Sequence, residues 1–122
     1  MNEETYLFDT YALIEIINKN LNYKKYVEKN VIINDFIFAE LCYNLIKNKV
    51  KDARDIIDEL KSAIFHAKPE WIKEAMQFRI EWKDRNVSMT DCIGYIMSKK
   101  LNIKFLTGDK EFENMENVEF VR

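Results

Sequence analysis

The stretch Val87–Phe112, VSMTDCIGYIMSKKLNIKFLTGDKEF, constrains the fold more than any other part of the chain. It reads as a helix, a short turn and a strand, with an acidic residue at each functional edge. Ser88 is a good N-cap, and Asp91 falls three residues later, in the first helical turn. The free N–H groups and the positive end of the helix dipole are expected to hold Asp91 ionised there. Cys92, Ile93, Ile96, Met97 and Leu101 place apolar side chains over most of the helix circumference, which predicts burial on more than one side. Asn102 ends the helix, Ile103–Thr107 predicts a short buried strand, and Gly108-Asp109 turns the chain at its carboxyl end. Asp91 and Asp109 would then share the sheet edge at which α/β proteins bind ligands. Read locally, they are a helix-start residue and a turn former.

The same alternation runs through the rest of the chain. Thr5–Phe8, TYLF, reads as a strand ending at Asp9, and Leu13, Ile14, Ile16 and Ile17 give a helical face up to about Asn18. Asp9 read locally is the N-cap of that helix. The Asn- and Lys-rich stretch Asn18–Asn30, with Tyr23 and Tyr26, predicts a turn and a short helix, mostly solvated. Val31-Ile32-Ile33 predicts a second strand, and Asn34 or Asp35 caps a helix carrying Phe36, Ile37, Phe38, Leu41, Leu45 and Ile46. Glu40 rides in this apolar surround. Burying an unpaired carboxylate is costly, so a cleft, a cation or a partner is expected to face it. Asp52–Ala67 predicts an amphipathic helix, and Pro69 opens another that runs to about Asn86. Its stripe of Trp71, Ala75, Phe78 and Trp82 reads as core or homodimer contact before base stacking. Asn117–Val121 predicts a last strand at a sheet edge. Short apolar runs alternating with helical periods define an α/β protein, a three-layer α/β/α sandwich with a mostly parallel central sheet.

At 122 residues the chain is read as one domain, 1–122, able to bury a single core. Two glycines and one proline leave little room for linkers. The opening MNEETYLFD is acidic and unlike a signal peptide, and no apolar run approaches a membrane span. Cys42 and Cys92 make no disulfide framework, so a reduced, cytoplasmic protein is expected. A net charge of −2 excludes a general nucleic-acid coat. It leaves room for a nuclease whose local lysines and bound cation meet the phosphates.

Asp9 closes a strand, Glu40 rides the helix after a second, Asp91 opens a helix and Asp109 closes a third strand. In a parallel sheet with crossover helices, such junctions lie at one edge, so four acids would converge. Two unit charges about 4 Å apart repel by roughly 4 kcal/mol at an effective dielectric of about 20. A cation must neutralise the cluster, or some of the acids must stay protonated. One histidine, His66, and two scattered cysteines cannot furnish a usual zinc site. Oxygen-only ligands favour Mg²⁺ or Mn²⁺. A metal polarising a phosphate beside a carboxylate that orients water points to phosphodiester hydrolysis.

In the order YLFDT, FAEL, SMTDC and FLTGDKEF, the chain resembles the PIN-domain nucleases, particularly VapC-type toxins. The resemblance covers nearly the whole length. It implies metal-dependent cleavage of RNA, a separate antitoxin protein and a homodimer. It places Asp9, Glu40, Asp91 and Asp109 at the acidic positions, Thr107 at the hydroxyl before the last acid and Phe112 at a core aromatic. The middle helices, Lys51–Asn86, carry no motif. A phospho-acceptor receiver domain would need adjacent acids after the first strand, but Thr10 follows Asp9, and Asp55 lies in an amphipathic helix. A catalytically silent interaction module of the same fold would be expected to lack one of the four acids, and a further alternative is an RNA-processing PIN nuclease outside any toxin–antitoxin pair.

Overall fold

Four strands pair in the order β2-β1-β3-β4, every pair parallel, in a computed structural model that describes residues 4–122. The strands are β1 (Thr5–Phe8), β2 (Asn30–Ile32), β3 (Lys104–Thr107) and β4 (Val118–Phe120). The helices are α1 (Thr10–Ile17), α2 (Asp35–Lys47), α3 (Ala53–Leu60), α4 (Pro69–Glu81) and α5 (Met89–Lys100). Met1 to Glu3, part of the acidic opening, lie outside the described residues.

The two central strands explain the layering. Leu7, Phe8, Phe105 and Leu106 are each fully buried, and consecutive strand residues face opposite sides of a sheet. Both faces of the sheet are therefore covered by helices, as parallel sheets require. On one face α5 packs closely through Gly94, where a Cβ would lie 3.0 Å from the Phe105 ring. The helix is buried along Cys92–Ser98, as its all-round apolar pattern predicts. Asn102, just past its C-cap Leu101, takes the left-handed conformation (φ 59°) that lets the chain leave a helix.

The strand order reverses between β1 and β3. Residues Leu7 and Phe105 are paired there, and the Asp9 N–H continues the ladder to the Leu106 carbonyl at 3.1 Å. Ligands bind α/β sheets outside the carboxyl ends of strands at such a reversal. Asp9 follows β1 at this point, and Gly108 and Asp109 follow β3. Gly108 is required by space. A Cβ there would fall 2.2 Å from the Tyr11 ring and 2.5 Å from the Val121 carbonyl oxygen.

Two segments differ from their sequence expectation, and a third meets it only in part. The 3-10 helix Leu21–Tyr26 is solvated at Leu21, Asn22, Lys24 and Lys25 as expected, but Tyr23 and Tyr26 are buried in the core, with their hydroxyls donating to the Val121 carbonyl and the Glu119 carboxylate. The predicted helix over 52–67 stops at Leu60, followed by a 3-10 turn at Lys61–Ala63. The cause is the open edge of β2, where unpaired backbone groups of Ile33 capture the chain. Ile33 N–H donates to Ala63 O at 3.0 Å and Phe65 N–H to Ile33 O at 2.8 Å, making a parallel bridge between Ile33 and Ile64. Helix α4 ends at Glu81 rather than near Asn86, because Trp82 leaves helical geometry and the Asp-Arg-Asn run that follows favours turns.

The aromatic stripe of α4 packs within the chain. Phe78 stands 4.7 Å from Trp82 and 5.3 Å from Tyr95, and Trp71 stacks on Phe65. Exposed apolar side chains lie outside that stripe: Ile80 is one on α4 itself, and on α2 Phe36, Tyr43 and Ile46 share one helical face. Among the described residues no helix is long and apolar enough to cross a membrane.

Candidate active site

Asp9 is the N-cap of α1, and its Oδ1 accepts the Ala12 N–H at 2.8 Å. Its other oxygen, Oδ2, accepts the hydroxyl of Thr107, delivered from the end of the neighbouring strand β3. The same Thr107 oxygen accepts the Asp109 N–H at 3.0 Å, and Asp109 in turn caps a 3-10 turn at Lys110–Phe112 by accepting the Glu111 N–H at 3.0 Å. The local readings of Asp9 and Asp109 as cap and turn former are therefore both correct. Neither excludes the wider one, because a carboxylate has lone pairs beyond those a cap uses.

Asp91 forms a reciprocal capping box with Ser88: its N–H donates to Ser88 Oγ at 3.0 Å and its Oδ2 accepts the Ser88 N–H at 3.2 Å. Glu40, on α2, accepts the hydroxyl of Thr10 at 2.7 Å. Thr10 is the functional partner that sequence reading missed. Its signal was its position as the first residue of α1, directly after Asp9 at the same sheet edge.

The electrostatics join these residues into one site. Burial pushes the Asp9 carboxyl up to about 7; hydrogen bonds from Thr107 and Ala12 oppose the rise, and the charges of Asp91 and Asp109 add to it. Burial also raises Asp91, against the Ser88 hydrogen bonds, and Asp109 and Glu40 push the same way. Burial and the neighbouring acids outweigh the cap, so the Asp91 carboxyl lies above its ordinary value rather than below it. Asp9 thus feels Asp91 and Asp109, Asp91 feels Asp109 and Glu40, and Thr107 binds the most buried of the four acids predicted from sequence. Phe112 is buried against Phe105 and Tyr95, a core aromatic as expected.

The donor set suits a hard cation. It is all oxygen, and Glu40 Oε2 and Asp109 Oδ2 accept no hydrogen bond among the described residues. Cys92, next to Asp91, is pushed up to about 11 by burial and by that carboxylate. Among the described residues, no three His, Cys, Asp or Glu side chains stand together closely enough to grip an ion directly.

The fold and the site define an α/β protein with acidic, oxygen-only side chains at the switch point of a parallel sheet. Residues 6–118 match the PIN domain family model, and the chain belongs to that family. Comparison with curated proteins finds no match. Similar solved structures include VapC20 of Mycobacterium tuberculosis, a sarcin-ricin-loop-cleaving toxin, at 15% identity and TM-score 0.78, covering 96% of this chain and 99% of that one. A toxin–antitoxin complex from Klebsiella pneumoniae matches at 18% identity and TM-score 0.77, over 93% of this chain and 95% of the other. VapBC2 of Rickettsia felis, bound to a DNA fragment from its promoter, matches at 20% and 0.73, over 97% and 99%. At these identities the likeness is one of fold.

Proposed function

We propose that this chain is a metal-dependent endoribonuclease, the toxin member of a toxin–antitoxin pair, acting in the cytoplasm as a homodimer. One observation carries the reading: an Asp9 whose proton affinity is raised by its burial and, further, by Asp91 and Asp109, at the carboxyl edge where β1 and β3 meet. Such a concentration of negative charge has a use when a cation and a phosphate are to be brought together. The resemblance of the fold to solved toxins, one of them described as cleaving the sarcin-ricin loop, supports RNA as the substrate.

Asp9, Glu40, Asp91 and Asp109 would hold Mg²⁺ or Mn²⁺, in part through water. Bound there, the ion supplies Lewis-acid polarisation of the scissile phosphate. The chain's own residues do the rest. Thr107 fixes the rotamer of Asp9 and, through the Asp109 N–H, the start of the turn that carries Asp109. Thr10 does the same for Glu40. Carboxylate oxygens not engaged by these donors orient the attacking water and accept its proton. The apolar face of α2, with Phe36, Tyr43 and Ile46, offers surface for a second copy or an antitoxin.

The test is exposure of total RNA to the purified protein with Mn²⁺ and with EDTA, mapping new ends by sequencing. New ends that need the metal support the reading. Their absence with wild-type protein and Mn²⁺ would leave a silent interaction module.

A further inference from the structure

The loop between α4 and α5, residues 82–87, carries a feature that the acidic site does not use. Tyr95, Phe78, Trp82 and Arg85 form a tilted column running from the core to the surface. Ring centroids are 5.3 Å apart for Tyr95 and Phe78 and 4.7 Å for Phe78 and Trp82, and the Arg85 guanidinium lies 4.3 Å from the Trp82 centroid. Tyr95 is buried and Arg85 exposed, so the column ends in a cationic plane facing solvent. That plane is held in place by a neutral group: Arg85 Nη1 donates to the Glu111 carbonyl at 2.9 Å. Among the described residues neither Arg85 nor Lys110 has a carboxylate partner, whereas Lys99 nearby is paired with Glu116 at 2.7 Å.

The platform is registered to the acidic site through a single residue. Glu111 gives its N–H to Asp109 Oδ1 and its carbonyl to Arg85. Arg85, Trp82 and Lys110 line a cavity of about 410 Å³, and Arg85 also borders a second cavity of about 450 Å³ that holds Arg79 and Lys83. A strand crossing Arg85 would meet unpaired cations on both sides, in a chain whose net charge is −2.

We propose that the Arg85 guanidinium, backed by Trp82 and flanked by Lys110, is the seat of one unpaired nucleotide of an RNA strand, beside the site of cleavage. This rests on the nuclease reading and specifies it: the substrate is single-stranded at this position. A guanidinium plane stacks a base whose face is open, and bases inside a duplex present no open face. The cations take the flanking phosphates, and the neutral Glu111 tether leaves the Arg85 charge uncompensated for them.

The test measures binding in EDTA, where no metal-dependent cleavage intrudes, by the anisotropy of a labelled oligouridylate and of an RNA duplex. Mn²⁺-dependent cleavage is measured in parallel. Wild type is expected to prefer the single strand, and Arg85→Ala to lose roughly ten-fold or more of that affinity, the size of one base stack. Arg85→Lys keeps the charge and loses the plane, so it should keep the salt dependence and still bind weakly. Full recovery by Arg85→Lys, or equal binding of the duplex, would overturn the stack. A wild type that cleaves RNA while Arg85→Ala binds oligouridylate unchanged removes the platform and leaves the nuclease. A wild type that neither binds nor cleaves removes both. An Arg85→Ala protein that keeps RNA affinity and loses binding to polyglutamate assigns the plane to an acidic protein segment and overturns the RNA assignment. Arg85 is exposed, so both variants should melt close to wild type.

Discussion

Thr107 donates its hydroxyl proton to the buried carboxylate of Asp9, across the junction of β3 and β1. The two residues are far apart in sequence and side by side at the point where the strand order reverses. The bond lowers the proton affinity of Asp9 against the larger upward push of burial. Thr107→Val should therefore raise Asp9 further above about 7, moving the acid limb of the pH–rate profile to higher pH. Loss of the buried partner should also cost about 1–3 kcal/mol of stability at neutral pH. Thr107→Ser, which keeps the hydroxyl, should behave much closer to wild type in both measurements. Equal profiles for the valine and wild-type proteins would show that the bond does not tune Asp9.

Removing the acids should separate their roles. Asp9→Asn, Asp91→Asn and Glu40→Gln should each reduce Mn²⁺-dependent cleavage of a labelled RNA below detection, and Asp109→Asn should weaken it less. Thr10→Val leaves all four acids in place and removes the hydroxyl that Glu40 accepts. A lost orienting partner of this kind costs about 10- to 100-fold in activity or metal affinity. A Thr10→Val protein as active as wild type would detach Glu40 from the site.

Gly108 tests the junction sterically. Alanine there meets both the Tyr11 ring and the Val121 carbonyl oxygen. Gly108→Ala should destabilise by about 1–3 kcal/mol or more, as overpacked cores do. Adding Tyr11→Ala relieves only the ring contact, since the carbonyl is backbone. The double variant should remain well below Tyr11→Ala alone in a thermal melt.

What could be read in the sequence was what is local. Asp9, Asn34, Ser88 and Pro69 sit at helix starts because each serves its own next turn, and those starts follow from short-range chemistry. The acids could be placed at one edge because the parallel α/β alternation places such junctions there. Pairings between distant segments were not legible. Nothing near Ile64 in sequence announces the open edge of β2 that ends the amphipathic helix early. Tyr23 and Tyr26 sit among lysines and asparagines, and only the C-terminal acceptors Val121 and Glu119 make their burial affordable. Thr10 looked like a first helical residue until α2 brought Glu40 to it. The cap that lowers the Asp91 carboxyl is visible in sequence, whereas the burial that raises it is not.

The stability of the metal-free protein gives a test that needs no RNA. The folded carboxyl of Asp9 lies at about 7, above its ordinary value of 3.8, so the native state binds this proton more tightly than the unfolded chain. Where the native state holds more protons, stability falls as pH rises. The contribution is fully present below about pH 4, is lost progressively up to about pH 7, and is flat above it. Asp91, raised in the same direction, steepens the fall. Asp9→Asn removes the titrating group, and asparagine still caps a helix well. In EDTA at neutral pH the variant should be stabilised by on the order of 1 kcal/mol, a few degrees in melting temperature for a chain of this size. Below about pH 4 the advantage should vanish. Mn²⁺ should reverse the order, because an ion that binds only the folded state stabilises wild type by mass action and the amide has less to offer it. Melting curves of both proteins, in EDTA and in Mn²⁺ across this pH range, check each step. A variant that melts below wild type in EDTA and gains as much from Mn²⁺ would reduce Asp9 to the cap of α1.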